Sequence, residues 1–95
     1  MRKITWAPSA LADLRDVYDY ISLDSPDRAK RAVQDILKQT DKLSRFAKLG
    51  RTIPEIGESR YRELIVGEYR LMHEIRHGEI LIFRVLHAKR LFSSQ

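Results

Sequence analysis

Arg70 and His87, in the last third of the chain, are the residues whose chemistry points most directly to a function. A guanidinium offers a planar fork of donors that matches a phosphate, and an imidazole can exchange protons near neutral pH. Lys89 and Arg90 follow His87 closely and extend the positive potential beyond it. If these groups share one surface, the sequence predicts a site for an anionic target. The imidazole of His87 could also transfer a proton at such a site.

Three strands joined by tight turns are predicted to position these side chains. The segments rich in Ile, Leu, Val, Tyr and Phe are Arg60–Val66, Tyr69–Arg76 and Glu79–His87. Two-residue connections with a glycine join them, at Gly67-Glu68 and His77-Gly78. Because such loops fix the pairing register, cross-strand neighbours can be proposed from the sequence, including Arg62 opposite His73 and Leu71 opposite Arg84.

This register sorts the side chains onto two faces of an antiparallel sheet. The apolar face, which is predicted to receive the helices, carries Leu64, Val66, Tyr69, Leu71, Ile75, Ile80, Ile82 and Leu86. The opposite, mixed face carries Tyr61, Glu63, Ile65, Arg70, Met72, Glu74, Leu81, Phe83, Val85 and His87. Arg70 and His87 are then diagonal neighbours, roughly 7–8 Å apart at Cα, so both can meet one ligand. A slip of one residue would separate them.

The candidate site residues also have purely structural interpretations. Arg70 can instead pair with Glu63 or Glu74, and His87 can simply end a strand. Glu55, in the loop before the sheet, is either a candidate base or an ordinary exposed carboxylate. The residue types alone leave these alternatives open.

Two further polar residues are predicted on the helix side of the sheet. Arg84 falls there by alternation, and a charge in that position must be neutralised. A carboxylate of the first helix, Asp13 or Asp16, is the expected partner. His73 is predicted to be a satisfied histidine at the edge of the core. Both residues are therefore interpreted as structural.

A helical hairpin is predicted before the sheet. A short strand at Arg2–Trp6 is followed by a helix that begins near Pro8. A second helix of about 22 residues, reaching Phe46, begins with Ser25 as its N-cap. Leu49–Gly57 is predicted to be a loop. The element order β-α-α-β-β-β predicts a single α+β domain over residues 1–95, in which an antiparallel sheet packs on the helical hairpin in two layers.

Composition and charge narrow the classes of protein. The 95 residues are 43% hydrophobic, which supports a core, and carry a net charge of +5. The pI of 9.8 favours a polyanion or an acidic protein as partner. Absent cysteines and scattered histidines predict no disulfide, metal or cofactor. With no signal peptide and no apolar run of membrane-spanning length, we expect a soluble cytoplasmic protein without a membrane partner.

The order and spacing of motifs resemble the RelE/ParE superfamily of bacterial type II toxins. The resemblance covers almost the whole chain and is carried by Trp6–Leu14, Tyr20-Ile21, Ser25-Pro26, Leu49–Arg51, Pro54-Glu55, Arg62–Val66, Tyr69–Met72, and Arg84–His87 with Arg90. It implies the fold predicted above. It also implies a partner, a cognate acidic antitoxin encoded beside the toxin, whose segment folds on binding to exposed apolar positions of the helical hairpin or adds to a sheet edge.

The superfamily has two functional branches. The RelE-like branch cleaves mRNA on the ribosome without a metal. By that resemblance Arg70 would steady the scissile phosphate, His87 would be general acid and Glu55 general base. The ParE-like branch poisons DNA gyrase without catalysis, and Arg70, His87, Lys89 and Arg90 would then bind the target. A third alternative is a non-toxic, retargeted member.

Three features favour the ParE-like branch. The block from Arg62 to Arg70 and the ending from Arg84 to Arg90 look more like ParE. The loop 48–59 lacks a lysine-rich character, and the tail 88–95 contains no tyrosine, a frequent device of the nucleases. The sequence is therefore identified as a ParE-like toxin that inhibits gyrase, with mRNA cleavage as the alternative.

Overall fold

Two helices and five strands make up residues 1–93, the part of the chain that the structure, a computed structural model, describes. In chain order they are β1 (Lys3–Trp6), α1 (Pro8–Ser22), α2 (Pro26–Leu43), β2 (Arg51–Thr52), β3 (Tyr61–Val66), β4 (Tyr69–Arg76) and β5 (Glu79–His87). Ser94 and Gln95, the end of the tail that lacks tyrosine, lie outside the described residues.

The strands form one sheet in the spatial order β1-β5-β4-β3-β2. The pairs from β2 to β5 are antiparallel, and β1 pairs parallel to β5 at the edge of the sheet. The predicted α+β fold, with the helical hairpin packed on the sheet, is confirmed. The predicted loop Leu49–Gly57 contains one addition, the two-residue strand β2. No helix in residues 1–93 has the length and hydrophobicity needed to cross a membrane.

Local sequence signals account for the helix starts. Pro8 occupies the first turn of α1, where its missing N–H costs nothing. Ser25 caps α2 by accepting a hydrogen bond from the Arg28 amide. The second helix is shorter than predicted, since it ends at Leu43 and leaves Phe46 60% exposed. The chain turns there so that Ala47 is buried and its carbonyl accepts a hydrogen bond from His73.

A β-bulge in β5 changes the predicted register. Ile75–Ile80 and His73–Ile82 pair as predicted, but Met72 pairs with Arg84 and Leu71 with Val85. The predicted pair of Leu71 with Arg84 is therefore wrong. Phe83 is the extra residue, and one extra residue reverses the faces of those that follow.

The bulge decides which residues of β5 enter each core. Val85, predicted on the mixed face, belongs to the core under the helices, and Leu86, predicted under the helices, lies on the opposite side. The core under the helices is built from α1, α2 and the sheet, and it includes Ala10, Val17, Ile36, Leu43, Leu71, Ile80, Ile82 and Val85. The opposite face has a smaller core of Ile53, Met72 and Leu86, which Phe92 helps to cover.

Candidate functional site

Arg70 lies on β4 on the face opposite the helices, and its side chain is only 5% exposed. On the neighbouring strand β3, Glu63 pairs with Met72 of β4, and this places the Glu63 carboxylate beside Arg70. Arg70 Nε donates to Glu63 Oε1 at 2.7 Å, and Nη2 contacts the same oxygen at 2.6 Å. The structural interpretation that paired Arg70 with Glu63 is confirmed. The alternative partner Glu74 is wrong, because Glu74 accepts from Arg76 instead.

The two terminal nitrogens of Arg70 are also engaged. Nη1 and Nη2 donate to the two carboxylate oxygens of Glu55 at 2.8 and 2.7 Å, and Nη1 also donates to the Arg90 carbonyl at 2.6 Å. A guanidinium has five N–H groups; four hydrogen bonds are made here, and Nη2 contacts Glu63 as an ion pair in addition. The hydrogen bonds to Glu55 raise the pKa of Arg70. Arg70 in this state is engaged by two carboxylates and a carbonyl, so binding a phosphate would require breaking some of these contacts.

The cluster around Arg70 is electrically balanced. Glu63 is fully buried, and its Oε2 also accepts from Arg51 at 2.8 Å. Arg51 and Arg70 therefore face Glu55 and Glu63, two positive charges against two negative ones. Buried charges are tolerated when they are paired and hydrogen-bonded in this way. Any positive potential on this surface must come from residues outside the cluster.

Glu55, the candidate general base of the nuclease alternative, is a weak base in this structure. Hydrogen bonds from Arg70 and from the Phe92 amide lower its pKa from 4.5 to about 2. A general base works best when its pKa lies near the operating pH. The Glu55 carboxylate is thus a stable anion at neutral pH and a poor proton acceptor.

His87 lies on the other face of the sheet from Arg70. Because of the bulge, His87 pairs with Tyr69, and their rings meet edge to face at 5.7 Å, while Arg70 pairs with Leu86. The predicted diagonal contact between Arg70 and His87 is therefore wrong. The roles of these two residues in target binding stay predictions.

Lys89 and Arg90 are exposed on a tail that is fixed to the sheet. The Lys89 amide donates to His87 Nδ1 at 3.2 Å, and the Ala88 amide donates to the Glu68 carbonyl at 2.7 Å. Arg90 and Phe92 are held by Arg70 and Glu55 as described above. An open groove beside the tail is lined by Arg51, Pro54, Glu55, Arg70, Ala88, Lys89, Arg90 and Leu91. The structure thus brings three predicted site residues, Arg70, Glu55 and Arg90, into contact, and it places Lys89 beside them.

The predicted ion pair of Arg84 with Asp13 is confirmed. The predicted position of Arg84 on the helix side is wrong, because the bulge pairs it with Met72, and among the described residues His73 is satisfied at one ring nitrogen only. Arg84 Nε and Nη2 donate to Asp13 at 2.7 and 3.2 Å, so α1 neutralises the charge as expected. The same carboxylate accepts from the Val85 amide, which fixes the strand just after the bulge. His73 is fully buried and donates from Nε2 to Ala47. Its Nδ1 has no partner among residues 1–93, and burial lowers its pKa.

Sequence reasoning missed the roles of Arg51 and Phe92. Arg51 was in a predicted loop, and Phe92 lies beyond the last strand. The Phe92 ring meets Phe83 edge to face at 5.8 Å, and an aromatic residue shortly after a strand was the available signal for that contact. Within residues 1–93, no group of three or more His, Asp and Glu side chains could hold a metal ion.

Acid is expected to weaken the fold through Glu55. Well above pH 4.5 the carboxylate is ionised whether the chain is folded or unfolded, and its full stabilisation is present. As the pH falls towards about 2, the unfolded chain takes up the proton first, so roughly 2–3 kcal/mol is lost. Urea denaturation of wild type and Glu55→Gln across this range measures the effect, and the stability difference should shrink towards pH 2. A stability difference between the two proteins that stays constant with pH would contradict this prediction.

Comparisons with known proteins agree on the RelE/ParE superfamily of toxins. A sequence model described as "ParE toxin of type II toxin-antitoxin system, parDE" matches residues 4–92. The chain is 33% identical over 92 residues to Toxin RelE2 of Caulobacter vibrioides, covering 96% of this chain and all of that protein. It is also similar to a solved chain of the chromosomal ParDE toxin–antitoxin system of P. aeruginosa, with a TM-score of 0.77, 30% identity, and coverage of 94% and 98% of the two chains.

Proposed function

Because the chain belongs to the ParE toxin family of type II toxin–antitoxin systems, we propose that it arrests growth by binding and poisoning DNA gyrase, with residues 1–95 acting as one toxin domain. The proposed activity is non-catalytic. The toxin class follows from the family, and the choice of target is argued from the site.

The engaged guanidinium of Arg70 is the observation that carries this choice. Cleavage of mRNA by the predicted route needs one group to stabilise phosphate charge, one to accept a proton and one to donate it. Arg70 already makes four hydrogen bonds and ion pairs with two carboxylates, and Glu55 holds its proton only below about pH 2. His87 lies on the opposite face. These three groups do not converge on a substrate, which supports binding over catalysis.

The target contact is proposed to lie on the cationic tail. Lys89 and Arg90 are exposed at the end of β5, and His87 holds the Lys89 amide. Since the charges of the Arg70 cluster cancel, these two side chains provide the accessible positive charge of that region. We assign Lys89 and Arg90 to direct contact with the target and His87 to their support.

A cognate antitoxin is the second proposed partner. The similar chain from P. aeruginosa belongs to a toxin–antitoxin system. In the present chain, large apolar side chains remain exposed on the helical hairpin and its connection, namely Leu11, Tyr20, Leu23 and Leu37. An amphipathic antitoxin helix with acidic flanks can cover these side chains and complement the net charge of +5.

The target assignment is tested with purified chain and gyrase. The chain is expected to block supercoiling of relaxed plasmid and to trap cleaved DNA, while primer extension on translated messages shows no toxin-dependent cuts. Lys89→Ala/Arg90→Ala should weaken inhibition about tenfold, a loss of about 1.4 kcal/mol of binding. Lys30→Ala/Lys38→Ala removes the same charge from exposed positions of α2 and should leave inhibition unchanged. Message cleavage with normal supercoiling would overturn the gyrase assignment.

A further inference from the structure

We propose that the Arg70–Glu55 pair is a clamp that positions residues 88–92, and that the clamped segment presents a surface for an acidic, partly apolar protein patch. The inference rests on the proposed function in one respect, since it assumes that the tail contacts the target. Arg70 and Glu55 then act as positioning residues: they hold the contact residues in place and do not themselves touch the target.

The clamp acts on the tail at two points. Arg70 Nη1 donates to the Arg90 carbonyl at 2.6 Å, and Glu55 Oε2 accepts from the Phe92 amide at 2.7 Å. Arg70 and Glu55 are bonded to each other through both carboxylate oxygens. Fixing both residues that flank Leu91 leaves its backbone little freedom.

Leu91 is held outward by this arrangement. Its neighbour Phe92 packs on Phe83, whereas Leu91 is 82% exposed. If Leu91 served only the core of this chain, its side chain would be expected to be buried beside Phe92. A fixed backbone with an exposed apolar side chain lowers the entropy cost of binding, because the segment is already ordered.

The chemistry around Leu91 identifies the kind of partner. Lys89 and Arg90 precede it at exposed positions in the same groove, and both side chains lie outside the balanced cluster around Arg70. Ile65, directly opposite Arg70 on β3, adds a second apolar side chain that is 52% exposed. Apolar anchors with charges around them are typical of protein interfaces. We therefore assign the surface to a protein patch with carboxylates, in preference to the phosphates of DNA.

The clamp is tested by asking whether Glu55 acts only through the tail. Three variants are compared with wild type: Glu55→Gln, Lys89→Ala/Arg90→Ala/Leu91→Ala, and the combination of both. Asp13→Asn is the matched control, because it weakens a different partly buried ion pair, with Arg84, and Asp13 makes neither of the two hydrogen bonds that hold the tail. Growth arrest at equal protein levels and inhibition of gyrase are measured for each, together with amide hydrogen exchange at Phe92.

A positioning clamp predicts a non-additive pattern. Glu55→Gln should weaken growth arrest about tenfold and speed exchange of the Phe92 amide, yet it should add nothing once the tail side chains are removed. Asp13→Asn should keep full potency at a temperature where both variants are folded. Additive losses, or an equal loss in Asp13→Asn, would show that Glu55 matters only for stability and would overturn the clamp.

The partner class has its own readout. Leu91→Ala alone should weaken growth arrest about tenfold if an apolar protein pocket receives it. If Leu91→Ala has no effect and the chain binds a short DNA duplex without gyrase, with steep salt dependence, the protein assignment is wrong.

The result also separates this inference from the choice of target. If wild type arrests growth without inhibiting gyrase, the gyrase proposal fails, and the growth data still decide the clamp. A wild-type chain that neither arrests growth nor inhibits supercoiling would overturn both the gyrase proposal and the clamp.

Discussion

Replacing Arg70 with alanine is expected to destabilise the chain by about 3–5 kcal/mol, the range for breaking a buried ion pair from one side. The substitution leaves the fully buried Glu63 carboxylate with only Arg51 as its ionic partner and releases Glu55. Removing a partner from a buried charge costs the desolvation of the group that remains. Urea denaturation at pH 7 measures the loss.

Two companion variants make this expectation specific. Arg28→Ala breaks an exposed ion pair with Asp24 and should cost under about 0.5 kcal/mol, because solvent screens that pair. Arg70→Ala/Glu63→Gln should regain part of the stability, because the glutamine side-chain amide that replaces the buried carboxylate is uncharged. An Arg70→Ala variant as stable as Arg28→Ala would mean that the buried cluster contributes nothing.

Gly50→Ala is expected to be the second most damaging change, at more than about 3 kcal/mol. Gly50 has φ +86°, which disfavours a side chain, and an added Cβ would lie 2.1 Å from the Glu63 carbonyl oxygen and 2.9 Å from its carbon. Both atoms belong to the backbone of β3, so no side chain can move aside. Relief would require displacing β2 and with it Arg51, which pairs with Glu63.

Gly57→Ala is the matched control for this steric effect. Gly57 has a similar φ of +76°, but an added Cβ there meets nothing within 4 Å. Its cost should be the conformational strain alone, about 1–2 kcal/mol. The difference between the two variants, measured by urea denaturation, isolates the clash with Glu63. Equal losses would show that the loop before β2 moves freely.

The sequence predicted those parts of the fold that depend on local signals. Gly67 and Gly78 fixed the two hairpin turns, so Val66 pairs with Tyr69 and Ile75 with Ile80 as expected. The Arg84–Asp13 pair was predicted from an alternation that put Arg84 under the helices, and the pair forms although the bulge places Arg84 opposite Met72 instead. These inferences needed only strand alternation and electrostatics.

The rest depended on features without a local signal. Phenylalanine is common in regular strands, so nothing in the sequence marked Phe83 as the extra residue of a bulge. The Glu55–Arg70 contact requires the loop after β2 to fold over the sheet, and residues 15 positions apart gave no register from which to infer it. The sequence therefore predicted a site around Arg70 but gave this arginine the wrong neighbour, His87.

The single extra residue at Phe83 has an evolutionary consequence. If the codon for Phe83 were lost, Ile82 would still pair with His73 and Arg84 with Met72, so the residues from Arg84 onward would keep their partners and their faces. A lineage could thus gain or lose this residue without changing the faces on which Leu86 and His87 lie. Among related toxins, alignments that ignore such an insertion would equate residues that point away from each other.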